Sequence, residues 1–291
     1  MTSENPSRML SVPGGKLAYE EAGKGVPIVL LHEGIADRRM WDREFAQLAT
    51  HHRVVRYDLR GFGSSGPSTS EFSHVDDLKA LLDHLSLHHP LLVGPSVGGR
   101  ICLDFVIAHP GVAGGLLLIA PGFSGMDYPM FPPGVFDRDE TESKAAAGAW
   151  SAGNLEEALG HLRVLWGSAL TGKELERFQQ MVRENASEVL GETTGQKERP
   201  PKVKAASQLS SIRLPVLVLV GDHDNPAMPH VARYLTEHVE GARLRIVPGA
   251  DHLLNLTAPA AFDAAVEEMV KETAPRGARA GRSAVKRRAP T

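Results

Sequence analysis

The most restrictive stretch of this chain is Gly94, Pro95, Ser96, Val97, Gly98, a G-x-S-x-G pattern. It follows the apolar run 90–93 and precedes 97–108, where apolar residues recur three and four apart. A serine on such a strand-to-helix turn sits in strained backbone, and the flanking glycines leave room where side chains would strike the neighbouring strand and helix. Gly99 adds further space. The turn predicts that Ser96 stands above the carboxyl end of a strand and at a helix N-terminus. There the dipole and the free Val97 N–H favour a developing oxyanion. The bland alternative is a glycine-rich loop carrying an incidental serine, so the rest of the chain must supply the partners a nucleophile needs.

A serine hydroxyl is a weak nucleophile without an adjacent base. His252 answers that need: it follows the strand-like run 244–247 through Pro248, Gly249, Ala250 and Asp251. A carboxylate must then fix the imidazole tautomer. Asp224 follows the run 214–220 within Gly221, Asp222, His223, Asp224, again at the carboxyl end of a strand. Asp222 and Asp251 are rival acids. At Asp251 a turn-forming role is the simpler reading, since aspartate bonds its own backbone in turns.

These loops belong to a wider rhythm. Short apolar runs at 26–31, 53–58, 90–93, 115–120, 214–220 and 244–247 alternate with helix-like segments at 40–49, 75–85, 97–108, 230–239 and 259–270. That is the pattern of an α/β fold, with a mostly parallel central sheet and helices on both faces. Residues 16–21 alternate instead, as an antiparallel edge strand would, with 26–31 as the expected partner. Ser73 is the expected N-cap of 75–85, with Asp76 and Asp77 in its first turn.

From 123 to 207 the strand rhythm stops, and helix-like stretches appear at 145–152, 155–167 and 174–190. The expected organisation is a core made of 1–122 and 208–272, with 123–207 inserted as a helical cap or lid and 273–291 a disordered basic tail. A formal charge of −3 argues against nucleic-acid or membrane-surface partners and leaves a small-molecule substrate. The lone Cys102 and the lack of a signal-like N-terminus favour the cytoplasm. None of the 13 histidines, His223 and His230 included, has trustworthy metal-ligand spacing, so neither a metal nor a cofactor is expected. The oligomeric state is not readable.

At this point the chain resembles the α/β-hydrolase superfamily, over about 17–270. The resemblance rests on the 94–98 turn, the chain order Ser96, Asp224, His252, and Leu30, Leu31, His32 ahead of Gly34. It rests also on Tyr57, Asp58, Leu59, Arg60, Gly61, Phe62, Gly63, Ser64, Ser65 and on Trp41 with Asp42. It implies the α/β-hydrolase fold with an inserted helical cap, a Ser96–His252–Asp224 triad, and an oxyanion hole formed by the backbone N–H groups of Val97 and Gly34. Serine at position 96 argues against the haloalkane dehalogenase and epoxide hydrolase branches, which carry aspartate there.

Glu33 departs from the family pattern, standing where glycine is common. An outward-turned Glu33, in solvent or paired with Arg38 or Arg39, is the favoured expectation; a substrate-reading Glu33 is the other. Phe123, Met126, Met130, Trp150, Trp166 and Met228 are candidates to line an apolar pocket or to serve as cap packing. The resemblance implies hydrolysis of a small carboxylic ester or lactone through an acyl-enzyme. The alternatives are C–C bond hydrolysis of a vinylogous diketone and, from a different class, a non-catalytic ligand receptor on the same fold.

Overall fold

In the computed structural model, which describes residues 7–190 and 197–273, the apolar runs become strands. They are β1 (Arg8–Val12), β2 (Gly15–Ala22), β3 (Pro27–Leu30), β4 (Arg53–Tyr57), β5 (Leu91–Pro95), β6 (Gly115–Ile119), β7 (Val216–Gly221) and β8 (Arg243–Val247). Their order across one sheet is β1-β2-β4-β3-β5-β6-β7-β8. The β1–β2 and β2–β4 pairings are antiparallel and all the others are parallel. The loops after β3, β5, β7 and β8 therefore leave the sheet at one edge.

One expected pairing is replaced. Residues 16–21 lie in β2, which pairs with β1 and β4 and not with 26–31. Both edges of β3 are occupied by parallel neighbours, β4 and β5. The sequence gives little sign of β1, because its apolar residues, Met9, Leu10 and Val12, do not alternate strictly and Met9 faces solvent.

The period-2 alternation of each strand sorts its side chains into two cores. On one face Ile28, Leu30, Leu91, Val93, Leu117, Ile119, Leu217 and Leu219 meet Phe45 and Leu48 of α1 (Asp42–Leu48) and the apolar side of a C-terminal helix through Phe262, Val266 and Met269. On the other, Val29, Val55, Leu92, Leu116, Leu118 and Val218 meet α2 (His74–His84) and α3 (Ser96–Ala108) through Leu78, Leu81, Ile101 and Phe105. Helices on both faces explain why the strands read as continuous apolar runs. Ser73 caps α2, accepting from Asp76 N at 3.3 Å.

Between β6 and β7 lie α4 (Asp137–Ser151), α5 (Leu155–Trp166), α6 (Gly172–Glu184) and α7 (Ala186–Val189). The first begins at Asp137, well before the periodic stretch at 145, because Asp137, Asp139 and Glu140 place negative charge on its first turn. These helices are tied to the loops at the carboxyl ends of the strands. Asn185 donates to Asp37 Oδ2 at 3.0 Å and accepts from Gly63 N at 2.9 Å, and Ala169 N donates to Asp251 Oδ2 at 2.9 Å. Past β7 come α8 (Met228–His238), α9 (Leu254–Thr257) and α10 (Pro259–Thr273), the last being the C-terminal helix named above. Among the described residues no helix is long and apolar enough to cross a membrane. The expected tail lies, from 274 onward, outside the described residues.

Candidate active site

Ser96 occupies the turn between β5 and α3 with φ +46°, the left-handed region that costs a non-glycine residue about 1–3 kcal/mol. The surrounding glycines allow the turn to close. A Cβ on Gly94 would stand 2.4 Å from the Gly98 carbonyl carbon, and one on Gly98 would stand 2.8 Å from the His32 carbonyl oxygen. Ser96 and Val97 are half-buried at the first turn of α3, whose leading N–H groups have no intrahelical acceptor. Gly34 adjoins them: a Cβ there would reach Val97 Cγ2 at 3.0 Å.

His252 and Asp224 arrive on the loops after β8 and β7 and are both buried. His252 Nδ1 and Asp224 Oδ1 are hydrogen-bonded at 3.0 Å. Asp224 Oδ1 also accepts from Asn225 N at 2.6 Å, which fixes the carboxylate. Burial alone lowers the imidazole pKa, but the charge and hydrogen bond of Asp224 raise it above the ordinary value. The rival acids are engaged elsewhere. Asp222 accepts from Gly249 N at 2.6 Å, and Asp251 accepts from Leu253 N at 3.0 Å as well as from Ala169 N. Among the described residues no hydrogen bond joins Ser96 Oγ to His252. Nucleophile–base contacts of this kind often tighten only when substrate binds.

Glu33 does not turn outward. Its side chain is completely buried, and Oε2 lies 3.9 Å from His252 Nε2. Arg38 is instead bound to Asp58 and Glu20, and Arg39 to Asp37 and Glu184, so neither expected partner is available. Neither carboxyl oxygen of Glu33 has a hydrogen-bond partner. Burial, opposed by His252 and reinforced by Asp251 and Asp224, pushes its pKa up to about 8. His32 explains the placement: its Nε2 accepts from Leu59 N at 2.8 Å, so its Nδ1 carries the proton and donates to the Glu33 carbonyl at 2.7 Å. The Glu33 peptide is thereby pinned to the loop after β4, and the side chain is committed to the interior.

The inserted helices bring one ring against His252 and one carboxyl within reach of its charge. The Trp166 ring lies 4.5 Å from the His252 ring, centroid to centroid. Asp139 of α4 keeps a buried, unpartnered Oδ1, and burial pushes its pKa up to about 6 against the pull of His252. Sequence reasoning missed Asp139, one acid among several between 137 and 142, and missed the positioning task of His32. Phe123 and Met228 are buried in the core on the α2–α3 face, Phe123 stacked on Tyr234 at 5.5 Å, with Met126 packed against that core. Trp150 is half-buried in α4 and Met130 is exposed. Among the described residues no group of three or more His, Cys, Asp or Glu side chains is arranged to hold a metal ion.

A sequence profile described as alpha/beta hydrolase fold matches residues 26–259. The chain belongs to the α/β-hydrolase fold family. This α/β hydrolase is 31% identical over 116 residues to an uncharacterized protein of Mycobacterium tuberculosis, a match covering 38% of this chain and 34% of that one. The chain thus spans about a third of the length of that curated relative. Among solved structures, a thermophilic esterase from Thermogutta terrifontis superposes with a TM-score of 0.75 at 23% identity, covering 93% of this chain and 100% of that one. An enol-lactonase from Burkholderia xenovorans LB400 superposes with a TM-score of 0.69 at 22% identity, covering 91% and 100%. At those identities the two structures speak to the fold of this α/β hydrolase.

Proposed function

We propose that this α/β hydrolase cleaves a small carboxylic ester or lactone through an acyl-enzyme on Ser96, with His252 as base and Asp224 as its orienter. The observation that carries the reading is the buried His252 Nδ1–Asp224 Oδ1 hydrogen bond of 3.0 Å, at the sheet edge where Ser96 holds its strained turn. Ser96 Oγ adds to the acyl carbon while its proton passes to His252 Nε2. The Val97 and Gly34 N–H groups hold the oxyanion, a contribution typically worth about 3–4 kcal/mol for a single donor. The C–O bond then breaks, the leaving oxygen takes the proton from Nε2, and water repeats the sequence to release the acid. The names esterase and enol-lactonase among the structural neighbours support this choice of bond. The inserted helices serve as the cap, with Trp166 as its contact to the base.

The test is turnover of graded p-nitrophenyl esters, lactones and a vinylogous diketone by the intact protein and by Ser96→Ala. Ester or lactone turnover that falls by several orders of magnitude in the variant supports the reading. Turnover of the diketone alone, or full ester turnover by the variant, overturns it.

A further inference from the structure

Glu33 is a buried group at this site for which the triad has no use. It sits beside Gly34 on the loop that follows β3, completely buried, with neither carboxyl oxygen bonded. A buried polar group without a partner is costly, so its persistence at a binding edge points to a partner that arrives with the ligand. The structure also says which part of the ligand that is. Glu33 faces Nε2 of His252, the nitrogen opposite the one bound to Asp224, and Nε2 must hand its proton to the leaving oxygen. Two hydrogen bonds of about 2.8 Å that meet on one oxygen at roughly a right angle have outer ends about 4 Å apart. The separation of 3.9 Å between Glu33 Oε2 and His252 Nε2 matches that span.

We infer that Glu33, as a neutral carboxylic acid, donates a hydrogen bond to the leaving-group oxygen of the substrate, making it a further catalytic residue suited to esters with poorly departing alcohols and to lactones. The inference rests on the acyl-enzyme reading given above. In the step concerned, the bond between the acyl carbon and the leaving oxygen breaks, and the electron pair stays on that oxygen. The proton that neutralises it comes from His252 Nε2, where it arrived from Ser96. Glu33 keeps its own proton throughout and stabilises the charge that builds on the oxygen before proton transfer is complete.

Burial favours the neutral acid. His252 opposes it, and Asp251, on the loop after β8, and Asp224, after β7, reinforce it. Asp139 on α4 adds a further carboxyl facing His252 and Asp224. Arg38 and Arg39, the nearest basic residues in the sequence, are bound to other acids.

The experiment compares kcat/KM, which reports acylation, for p-nitrophenyl acetate, phenyl acetate and ethyl acetate in the wild type, Glu33→Ala, Glu33→Gln and Ser96→Ala. The expected result for Glu33→Ala is a loss of about 100-fold or more on ethyl acetate, against less than about tenfold on p-nitrophenyl acetate, whose leaving group needs little assistance. Glu33→Gln, which keeps a donor of similar shape, recovers most of the ethyl acetate rate. It also loses the fall in rate that the wild type shows as the pH rises and Glu33 ionises. Equal losses on all three esters, no loss at all, or an intact p-nitrophenol burst followed by slowed turnover overturns the inference, the last by assigning Glu33 to the deacylating water. Melting temperatures separate misfolding from chemistry, and Glu33→Gln tests the claim if Glu33→Ala does not fold. Turnover by Ser96→Ala at the wild-type rate condemns the acyl-enzyme reading itself, whatever the Glu33 variants do.

Discussion

Asp224 and His252 meet through Oδ1 and Nδ1 at 3.0 Å, although they lie on loops from two different strands. The parallel pairing of β7 with β8 brings those loops together: Gly221 is in register with Val247, and three and five residues further on the two side chains converge. Asp222, two residues before Asp224, is bound instead to the backbone of Gly249.

That difference separates the two acids experimentally. Asp224→Asn is expected to lower kcat by about 10³ to 10⁴, because the amide no longer stabilises the imidazolium or enforces its tautomer. Asp222→Asn, which keeps an oxygen to accept from Gly249 N, is expected to stay within about threefold of wild type. Steady-state kinetics on one p-nitrophenyl ester decides between them, and comparable losses in both variants contradict the assignment of Asp224.

Glu33 predicts a pH dependence of stability. Its pKa in the folded protein is about 8, above its ordinary value of 4.5, so between those limits the native state holds a proton that the unfolded chain has released. Stability then falls as the pH rises across that window, in proportion to the extra bound proton. Glu33→Gln has no such proton to lose. Urea unfolding at about pH 5 and about pH 9 should show the variant gaining on the wild type by a few kcal/mol at the higher pH. A constant difference means that the carboxyl is not held neutral.

Arg60 and Asp77 form a buried two-pronged pair, with both hydrogen bonds 2.7 Å, and Phe72 covers the guanidinium. Removing one partner strands the other charge in the interior, so Asp77→Ala is expected to cost about 3–5 kcal/mol. Replacing both, as in Arg60→Met with Asp77→Leu, is expected to cost clearly less. Thermal and urea denaturation check both values.

Much of the fold was legible because its strands are buried on both faces. Runs such as 115–120 and 214–220 have no reading other than core, and the glycines around Ser96 mark a turn that admits no side chain. The loops that bring Asp224 and His252 to one edge could be placed from strand ends alone. β1 was not legible, because a short, half-exposed hairpin strand whose apolar residues Met9, Leu10 and Val12 do not alternate strictly has no pattern to declare it. Glu33 was misjudged for a different reason. Exposure is the ordinary fate of an isolated glutamate, and only the three-dimensional contact of His32 with Leu59 N and the Glu33 carbonyl turns this one inward. Trp166 reaches the base from the inserted helices, a tertiary contact that no local pattern encodes.

The central claim is that Ser96 is a nucleophile activated by His252. Its most direct test is treatment of the intact protein with a fluorophosphonate, followed by peptide mass mapping. The account predicts a single phosphonyl adduct on Ser96, absent from Ser96→Ala and slowed by orders of magnitude in His252→Ala. An unmodified Ser96 in protein that still turns over esters, or an adduct on another residue, contradicts it.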